Sequence, residues 1–429
     1  MAKCLLSWCY IRGMLRRLLR KAPRMTWRLL ALLLVTCAVL GWWFAGYLLV
    51  APGAGELTEV HKCPSCYGVT ACPAFMLGQV ELTGASRLVR LLDLVGGRNV
   101  MFATHGDRRV VLKRLGNRRE LAELDARICR EMGRRPGCRV GDAMWKVKDV
   151  RSLIASLLDM PDVSPNSSDS YRSLHLCPST TNVDLFLEKI FLRYRAIGRE
   201  ILYTNIWTML LINPEPIILQ VLPAEEGWPV PRYLGACGRI AVQEYAGDML
   251  TSHHGAPWLS RASMAYQLLS AAEQFTSGHP HFRFYLTDVS PDNIAVDPAG
   301  VVRFVDLENV VVLDKAAGVN GELKMWDRRH TSEHIECEGC FAFSVQDLCS
   351  HHVSDHNFYA VCQELLLPAG ASPGVMPGGL LHDVPPHVLA SHPQLPRLIE
   401  HCARPPPHLD RATAAHNLAR LLANITAQS

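Results

Sequence analysis

The sequence predicts an α+β fold in two lobes, carried behind an N-terminal helix that spans a membrane. Three observations point there. A basic segment runs straight into 23 uncharged residues, Leu29 to Ala51. Strand-like apolar runs alternate with helical spacing through the middle of the chain, and the C-terminal third is mostly helical in pattern. Between them YLTDVSPDNIAVDPAGVVRFVDLENV, residues 285–310, sets two carboxylate-bearing turns against apolar β-type sequence. With 429 residues, 49% of them hydrophobic, the chain can bury a large core.

Lys3, Arg12, Arg16, Arg17, Arg20, Lys21, Arg24 and Arg28 crowd the first 28 residues, so a net charge of +4 leaves the remainder slightly acidic. The uncharged run that follows is long enough to cross a bilayer as a helix. It exceeds the apolar part of a cleaved signal peptide and reads as an uncleaved signal anchor. Positive residues before it, with Glu56 and Glu59 after it, predict a single-pass type II topology: a cytosolic N-terminus and a lumenal chain beyond about residue 52. Trp42, Trp43 and Tyr47 suit an aromatic belt at the lumenal end.

Of 15 cysteines, Cys4, Cys9 and Cys37 precede or lie within the span and twelve follow it. Twelve can pair as six disulfides, a density expected in an oxidising compartment. Asn166-Ser167-Ser168 and Asn424-Ile425-Thr426 are glycosylation sequons that agree with that placement. Cys63-Pro-Ser-Cys66 and Cys337-Glu-Gly-Cys340 also have zinc-ligand spacing, but in a secretory chain disulfides are the favoured reading.

Along the chain, residues 1–28 form the basic segment, 29–51 the anchor and 52–85 a small cysteine-containing cap. An N-terminal lobe is expected over 86–247, with a partly looped insertion near 133–181, and a C-terminal lobe over 248–429. Residues 89–115 read as a meander of three short strands, turning at Gly96-Gly97 and His105-Gly106-Asp107. NRRELAELDARICREM then spaces Leu121, Leu124 and Ile128 along one helical face. Residues 183–212 are helical in pattern. Pro216-IILQVL and GRIAVQEYAG read as strands, and LSRASMAYQLLSAAEQF, 259–275, as an amphipathic helix. NIAVD and VVRFVDLENVVVL are strands joined by Pro298-Ala299-Gly300, and DHNFYAVCQELL is a buried helix anchored by Asp355.

Asp288 is followed by Asn293 and then by Asp306. A hairpin between Asn293 and Asp306 brings all three to one end of a sheet. Phosphoryl transfer needs this set: one carboxylate to orient and deprotonate a hydroxyl, an amide and a second carboxylate to hold a divalent cation against a triphosphate. Asp288, Asp292 and Asp297 also suit turns in their own right, because Asp caps local backbone N–H groups. Upstream, Lys113 ends the apolar strand Val110-Val111-Leu112, where an ammonium reaches the α- and β-phosphates. The helix that follows offers Glu120 and Glu123 as partners for Lys113, with Glu188 and Glu200 as remote alternatives. Together these parts predict a protein-kinase-like fold.

The runs VVLKRL, RRELAELD, NPEPIILQVLPAEEGWPVPRYLGACGR, DVSPDNIAV, VDLENV and DHNFYAVCQ resemble the secretory-pathway divergent protein kinase family from about residue 60 onward. The resemblance implies a two-lobed kinase-like domain on the route through the endoplasmic reticulum and Golgi, lumenal or secreted. It gives Asp288 the catalytic role, Lys113 the phosphate-binding role with Glu120 as its partner, and Asn293 and Asp306 the metal-ligand roles, with ATP and Mg2+ or Mn2+ as cofactors. The chain departs from ordinary kinases in three places. Leu286-Thr287 stands for His-Arg before the catalytic aspartate, Glu308 stands where glycine is usual, and no G-x-G-x-x-G occurs.

Two functions follow as alternatives. An active enzyme phosphorylates a hydroxyl on a secretory-pathway protein or glycan; a pseudokinase acts as a Golgi-held or secreted scaffold or ligand for a cell-surface receptor. Transfer of another part of the nucleotide, such as AMP, is a third. The membrane contact is the anchor. Nucleic acid is not indicated, since no basic stripe with interleaved aromatics follows the cytosolic arginines. His253-His254, His351-His352 and His356 lack consistent ligand spacing and read as ordinary loop or helix histidines.

Overall fold

The computed structural model describes residues 24–88, 99–145, 149–150, 154, 174–177, 182–318, 324–333, 341–367 and 376–427. Helix α1 (Arg24–Leu49) belongs, with residues 83–88, to one unit; residues 53–82 and the described residues from 99 onward form the other. Helix α1 contains the one stretch, Ala31–Leu49, that is long and apolar enough by itself to cross a membrane among the described residues. Trp42 and Trp43 are exposed on it.

The larger unit begins with a five-stranded antiparallel sheet. Strands β1 (Val80–Leu82), β2 (Val100–His105), β3 (Arg108–Lys113), β4 (Tyr233–Cys237) and β5 (Ile240–Glu244) lie in the order β1-β2-β3-β5-β4. β2 and β3 form the expected hairpin, with Gly106 at φ +58 in its turn, a backbone that glycine adopts without strain. The run before β2, including Gly96-Gly97, lies outside the described residues. Helix α2 (Arg118–Glu131) buries Leu121, Leu124 and Ile128, as its spacing predicts.

Helices α3 (Val183–Arg193) and α4 (Arg199–Ile212) follow. The run read as a strand at Pro216 is instead a helix, α5 (Glu215–Val221). Pro216 sits in its first turn, where a missing N–H costs nothing, and Ile217, Ile218, Leu219 and Val221 are all buried. Burial on every side erases the periodicity that distinguishes a helix from a strand. The expected insertion near 133–181 lies largely outside the described residues.

Beyond β5, a two-residue strand β6 (Asp248–Met249) joins β8 (Ile294–Val296) and β9 (Val302–Phe304) in a second sheet. Helix α6 (Trp258–Glu273) runs between them in sequence and packs on the C-terminal helix α9 (Arg411–Ala427). Strand β7 (Phe282–Tyr285) pairs antiparallel with β10 (Val311–Asp314). Helices α7 (His356–Ala360) and α8 (Leu395–Ala403) complete the helical region, whose core is continuous with that beneath the first sheet.

Disulfides join Cys63 to Cys66, Cys72 to Cys237, Cys129 to Cys138, Cys177 to Cys349 and Cys362 to Cys402. Cys63 and Cys66 thus pair with each other. Cys337 and Cys340 lie outside the described residues, and Cys37 is a free, exposed thiol on α1.

Candidate functional site

Lys113 ends β3 with only 8% of its surface exposed. A buried ammonium needs a counter-charge. Its Nζ donates to both carboxylate oxygens of Glu215, at 2.7 and 2.8 Å, and lies 3.5 Å from Asp306 Oδ1. Burial pushes the lysine pKa down, but Glu215 and Asp306 outweigh it and hold the group above its ordinary value.

Glu215 is therefore the carboxylate partner, and the expectation of Glu120 is corrected. Glu120 Oε2 accepts from Asn117 N at 2.7 Å while Asn117 Oδ1 accepts from Glu120 N, a reciprocal cap on α2. Glu123 pairs with Arg119 on the same helix. Glu188 and Glu200 are exposed on α3 and α4. Glu215 reaches the lysine because α5 presents its first residue to the end of β3.

Strands β8 and β9 form the expected hairpin, with Ile294 opposite Phe304. Val305 N donates to Asn293 O at 2.9 Å, which closes the hairpin base between the two site residues. Asp306 stands just past β9 at φ +64, a strained backbone for a residue with a Cβ. That conformation lets its N–H donate to Glu215 Oε1 at 3.2 Å. Asn293 Nδ2 donates to the Asp288 carbonyl at 3.2 Å. Burial and the nearby Asp306 raise the Asp288 pKa, partly offset by a hydrogen bond from Asn293.

Glu308, in the usual place of glycine, accepts from Asn213 Nδ2, and Asn213 Oδ1 accepts from Glu215 N at 2.9 Å. One amide therefore ties the Asp306 turn to the start of α5. Burial, Asp306 and Glu215 push the Glu308 pKa up from 4.5 to about 7. A carboxylate so raised destabilises the fold when ionised, so its cost is present above pH 7 and disappears as pH falls from 7 toward 4.5. The metal-free protein is expected to gain thermal stability through that window, and Glu308→Gln to lose that gain. Parallel melting-versus-pH curves for the two proteins would refute the assignment.

Asp288 is positioned from behind. His356 Nε2 donates to Leu286 O at 2.8 Å, and Asn357 Oδ1 accepts from Leu286 N at 2.9 Å. Burial drives the His356 pKa down to about 4, so the ring is neutral. The segment before Asp288 is thus held by the His356-Asn357 pair, while Asp355 anchors the start of the buried helix α7, as the sequence suggested. Asp355 accepts from Ser332 N and pairs with buried Arg411.

A cavity of about 300 Å³ is lined by Val100, Phe102, Val111 and Lys113 from the sheet and by Asn293, Ala295 and Asp306 from the hairpin side. The oxygen donors of Asn293 and Asp306 suit a hard divalent cation, and Lys113 suits a phosphate. The apolar strand residues suit a flat ring. A larger cavity of about 700 Å³ between α3 and α4 is lined by Asp184, Glu188, Arg195 and Arg199.

Fold and site define a protein-kinase-like domain. Residues 206–405 match the family described as the protein-kinase domain of FAM69, a span that contains Glu215, Asp288, Asn293 and Asp306 but not Lys113. Divergent protein kinase domain 2A of Xenopus tropicalis is 41% identical over 391 residues, covering 86% of this chain and 89% of the relative. The Homo sapiens protein of that name is 38% identical over 400 residues, covering 88% and 91%. Divergent protein kinase domain 2B of Mus musculus is 26% identical over 329 residues, covering 72% and 71%. The chain belongs to the divergent protein kinase family.

Proposed function

We propose that this protein is a membrane-anchored kinase of the Golgi or endoplasmic reticulum lumen that transfers phosphate from ATP to a hydroxyl of a secretory-pathway protein or glycan. The observation that carries this reading is the convergence of Lys113, Asn293 and Asp306 on one cavity, with buried Glu215 fixing Lys113 from behind. The five-stranded sheet and the helical region are read as the two lobes, and the part of the expected cap (52–85) that precedes β1 as the cysteine cap. Asn293 and Asp306 are the ligands for Mg2+ or Mn2+, which when bound offsets negative charge on the phosphates. Lys113, fixed by Glu215, faces the α- and β-phosphates. Asp288 accepts the proton of the attacking hydroxyl, and its raised pKa suits that task.

Localisation rests on other features. Helix α1 is read as the signal anchor, with the basic residues before it cytosolic and the disulfide-bonded region lumenal. The sequon residue Asn424 is exposed on α9, as a glycan site requires. Asn166 lies outside the described residues.

Mg-ATP is expected to raise the melting temperature of the purified full chain. Asp306→Ala should abolish that rise; its side chain is 40% exposed, so the fold tolerates its removal. Asp288→Ala should retain binding and lower turnover by roughly 10²–10⁴-fold. The mass added to the acceptor separates phosphoryl from AMP transfer. A second reading, a pseudokinase scaffold or receptor ligand, is favoured by Glu308, which places a third carboxylate beside Asp288 and Asp306. Absence of nucleotide binding to well-folded protein would support it over the enzyme.

A further inference from the structure

The Cys129–Cys138 disulfide closes a short loop whose chemistry the nucleotide reading does not use. Residues 127–139, RICREMGRRPGCR, hold five arginines against one acid, with no lysine. Glu131, the one acid, accepts from Arg127 Nε at 2.7 Å on α2. Arg130, Arg134, Arg135 and Arg139 are all exposed. Arg139 lies 3.4 Å from Asp142 with 87% of its side chain in solvent, a pairing of little strength. Arg130, Arg134 and Arg135 have no ion pair among the described residues.

The backbone holds these charges in place. Helix α2 ends in a Schellman motif: Gly133, at φ +63, donates its N–H to Arg130 O at 2.9 Å, and Arg134 N donates to Cys129 O at 2.7 Å. Arg135-Pro136-Gly137-Cys138 then turns back, with Gly137 at φ +81 and Cys138 N donating to Arg135 O at 3.2 Å. Proline and glycine in the two central positions are the pattern of a type II turn. The disulfide sets the Cys129 and Cys138 Cα atoms 5.9 Å apart, and Cys129, with no exposed surface, roots the loop in the core. Two turns and a cross-link thus fix the backbone under four exposed arginines before any partner arrives, so binding orders little of it.

The guanidinium fork meets two oxygens of one oxyanion at a time and stays charged at any lumenal pH, so the partner is anionic. From Arg130 to Arg139 the loop has no aromatic residue and no Leu, Ile or Val. It lacks the apolar centre of a protein interface, the wedge that enters a membrane and the rings on which bases stack. A disulfide-bonded loop belongs to the oxidising side of a membrane, whereas the negative leaflet is the cytoplasmic one. A sulfated polysaccharide meets these conditions, since it presents oxyanions in a row and asks for no apolar contact. We propose that the Cys129–Cys138 loop binds a sulfated glycosaminoglycan chain, its sulfates held by Arg130, Arg134 and Arg135 with Arg139 at the edge. None of these residues lines the Lys113 cavity. The site therefore stands whether the protein is a kinase or a scaffold.

The basic first 28 residues also attract polyanions, so the site is read by position and not by total affinity. The full chain is treated with phenylglyoxal, which modifies arginine, in the presence of a heparin octasaccharide, and the modified residues are mapped by mass spectrometry. The octasaccharide is expected to protect Arg130, Arg134 and Arg135, with protection fading as salt is raised. A desulfated octasaccharide, which keeps its carboxylates, is expected to leave them reactive. In Arg134→Ala/Arg135→Ala the octasaccharide concentration that half-protects Arg130 should rise by roughly five- to tenfold, as loss of two exposed charge contacts predicts. The melting temperature should not change, because both side chains are exposed. Protection confined to the first 28 residues would overturn the proposal, as would equal protection by the desulfated chain or by polyglutamate, or an Arg130 response unaltered in the double variant. Protection by phosphatidylserine vesicles but not by the octasaccharide would put a membrane surface in the glycan's place, and overturn it too.

Discussion

Replacing Lys113 by methionine is expected to destabilise the protein by about 3–5 kcal/mol, the cost of leaving a buried charge without its partner. The Glu215 side chain has no solvent exposure, and both of its oxygens are bound by the Lys113 ammonium. Only the Asp306 N–H of the site's donors would remain on that carboxylate. The lysine pKa is raised in the folded state, so the pair contributes fully below the ordinary value of 10.5 and is lost only as pH rises through the higher folded value. The loss on mutation should therefore be complete at neutral pH. Glu215→Gln alone should cost less, because Lys113 still has Asp306 at 3.5 Å and a flexible stem that can reach the cavity. Glu215→Gln placed on Lys113→Met should recover at least half of the loss, since an amide carries no unpaired charge. Urea unfolding of the four proteins with disulfides intact checks this, and a double variant no more stable than Lys113→Met would sink it. The practical consequence is that an inactive Lys113 variant says little about catalysis. Asp306→Ala, at a half-exposed position, is the cleaner probe.

The same pair shows what the sequence could and could not disclose. Lys113 was legible because it ends a strand with the expected period, and Asn293 and Asp306 because a turn of known chemistry, Pro298-Ala299-Gly300, separates two alternating runs. The face of α2 was legible because Leu121, Leu124 and Ile128 are buried on one side of an otherwise polar helix. Glu215 was not, because it lies 102 residues from Lys113 in a helix buried all round. A signal was nevertheless present: Asn213-Pro214-Glu215-Pro216 places a capping side chain, a first-turn acid and a first-turn proline at a helix start. Asn357 is beyond such reading, since its role depends on which backbone lies opposite. Disulfide partners as distant as Cys177 and Cys349, 172 residues apart, are likewise set by the fold and not by spacing.

Asn357→Leu is expected to cost at least about 3 kcal/mol and to lower turnover more than nucleotide affinity. The side chain is 1% exposed, and all its polar capacity is directed at the segments around Asp288. Oδ1 accepts from Leu286 N, while Nδ2 donates to Phe284 O at 2.8 Å and to Thr276 Oγ1 at 2.9 Å. Leucine matches the volume but leaves these three buried groups short of a partner, at about 1–3 kcal/mol each. Asn357→Asp separates hydrogen bonding from packing, because it changes one atom and no volume. A carboxylate there still accepts from Leu286 N but faces the Phe284 carbonyl without a proton to offer. It too should be destabilising at pH 8, and the defect should ease toward pH 5 as the buried acid protonates and regains one donor. If packing alone anchored α7, Asn357→Asp would behave as wild type at both pH values, and that result would remove Asn357 from the support of the catalytic segment. If the clamp acts as described, Leu286 loosens in both variants while Lys113, Asn293 and Asp306 keep their own contacts. Binding of Mg-ATP then survives in protein that has lost the register of Asp288, and the KM-against-kcat split falls on kcat.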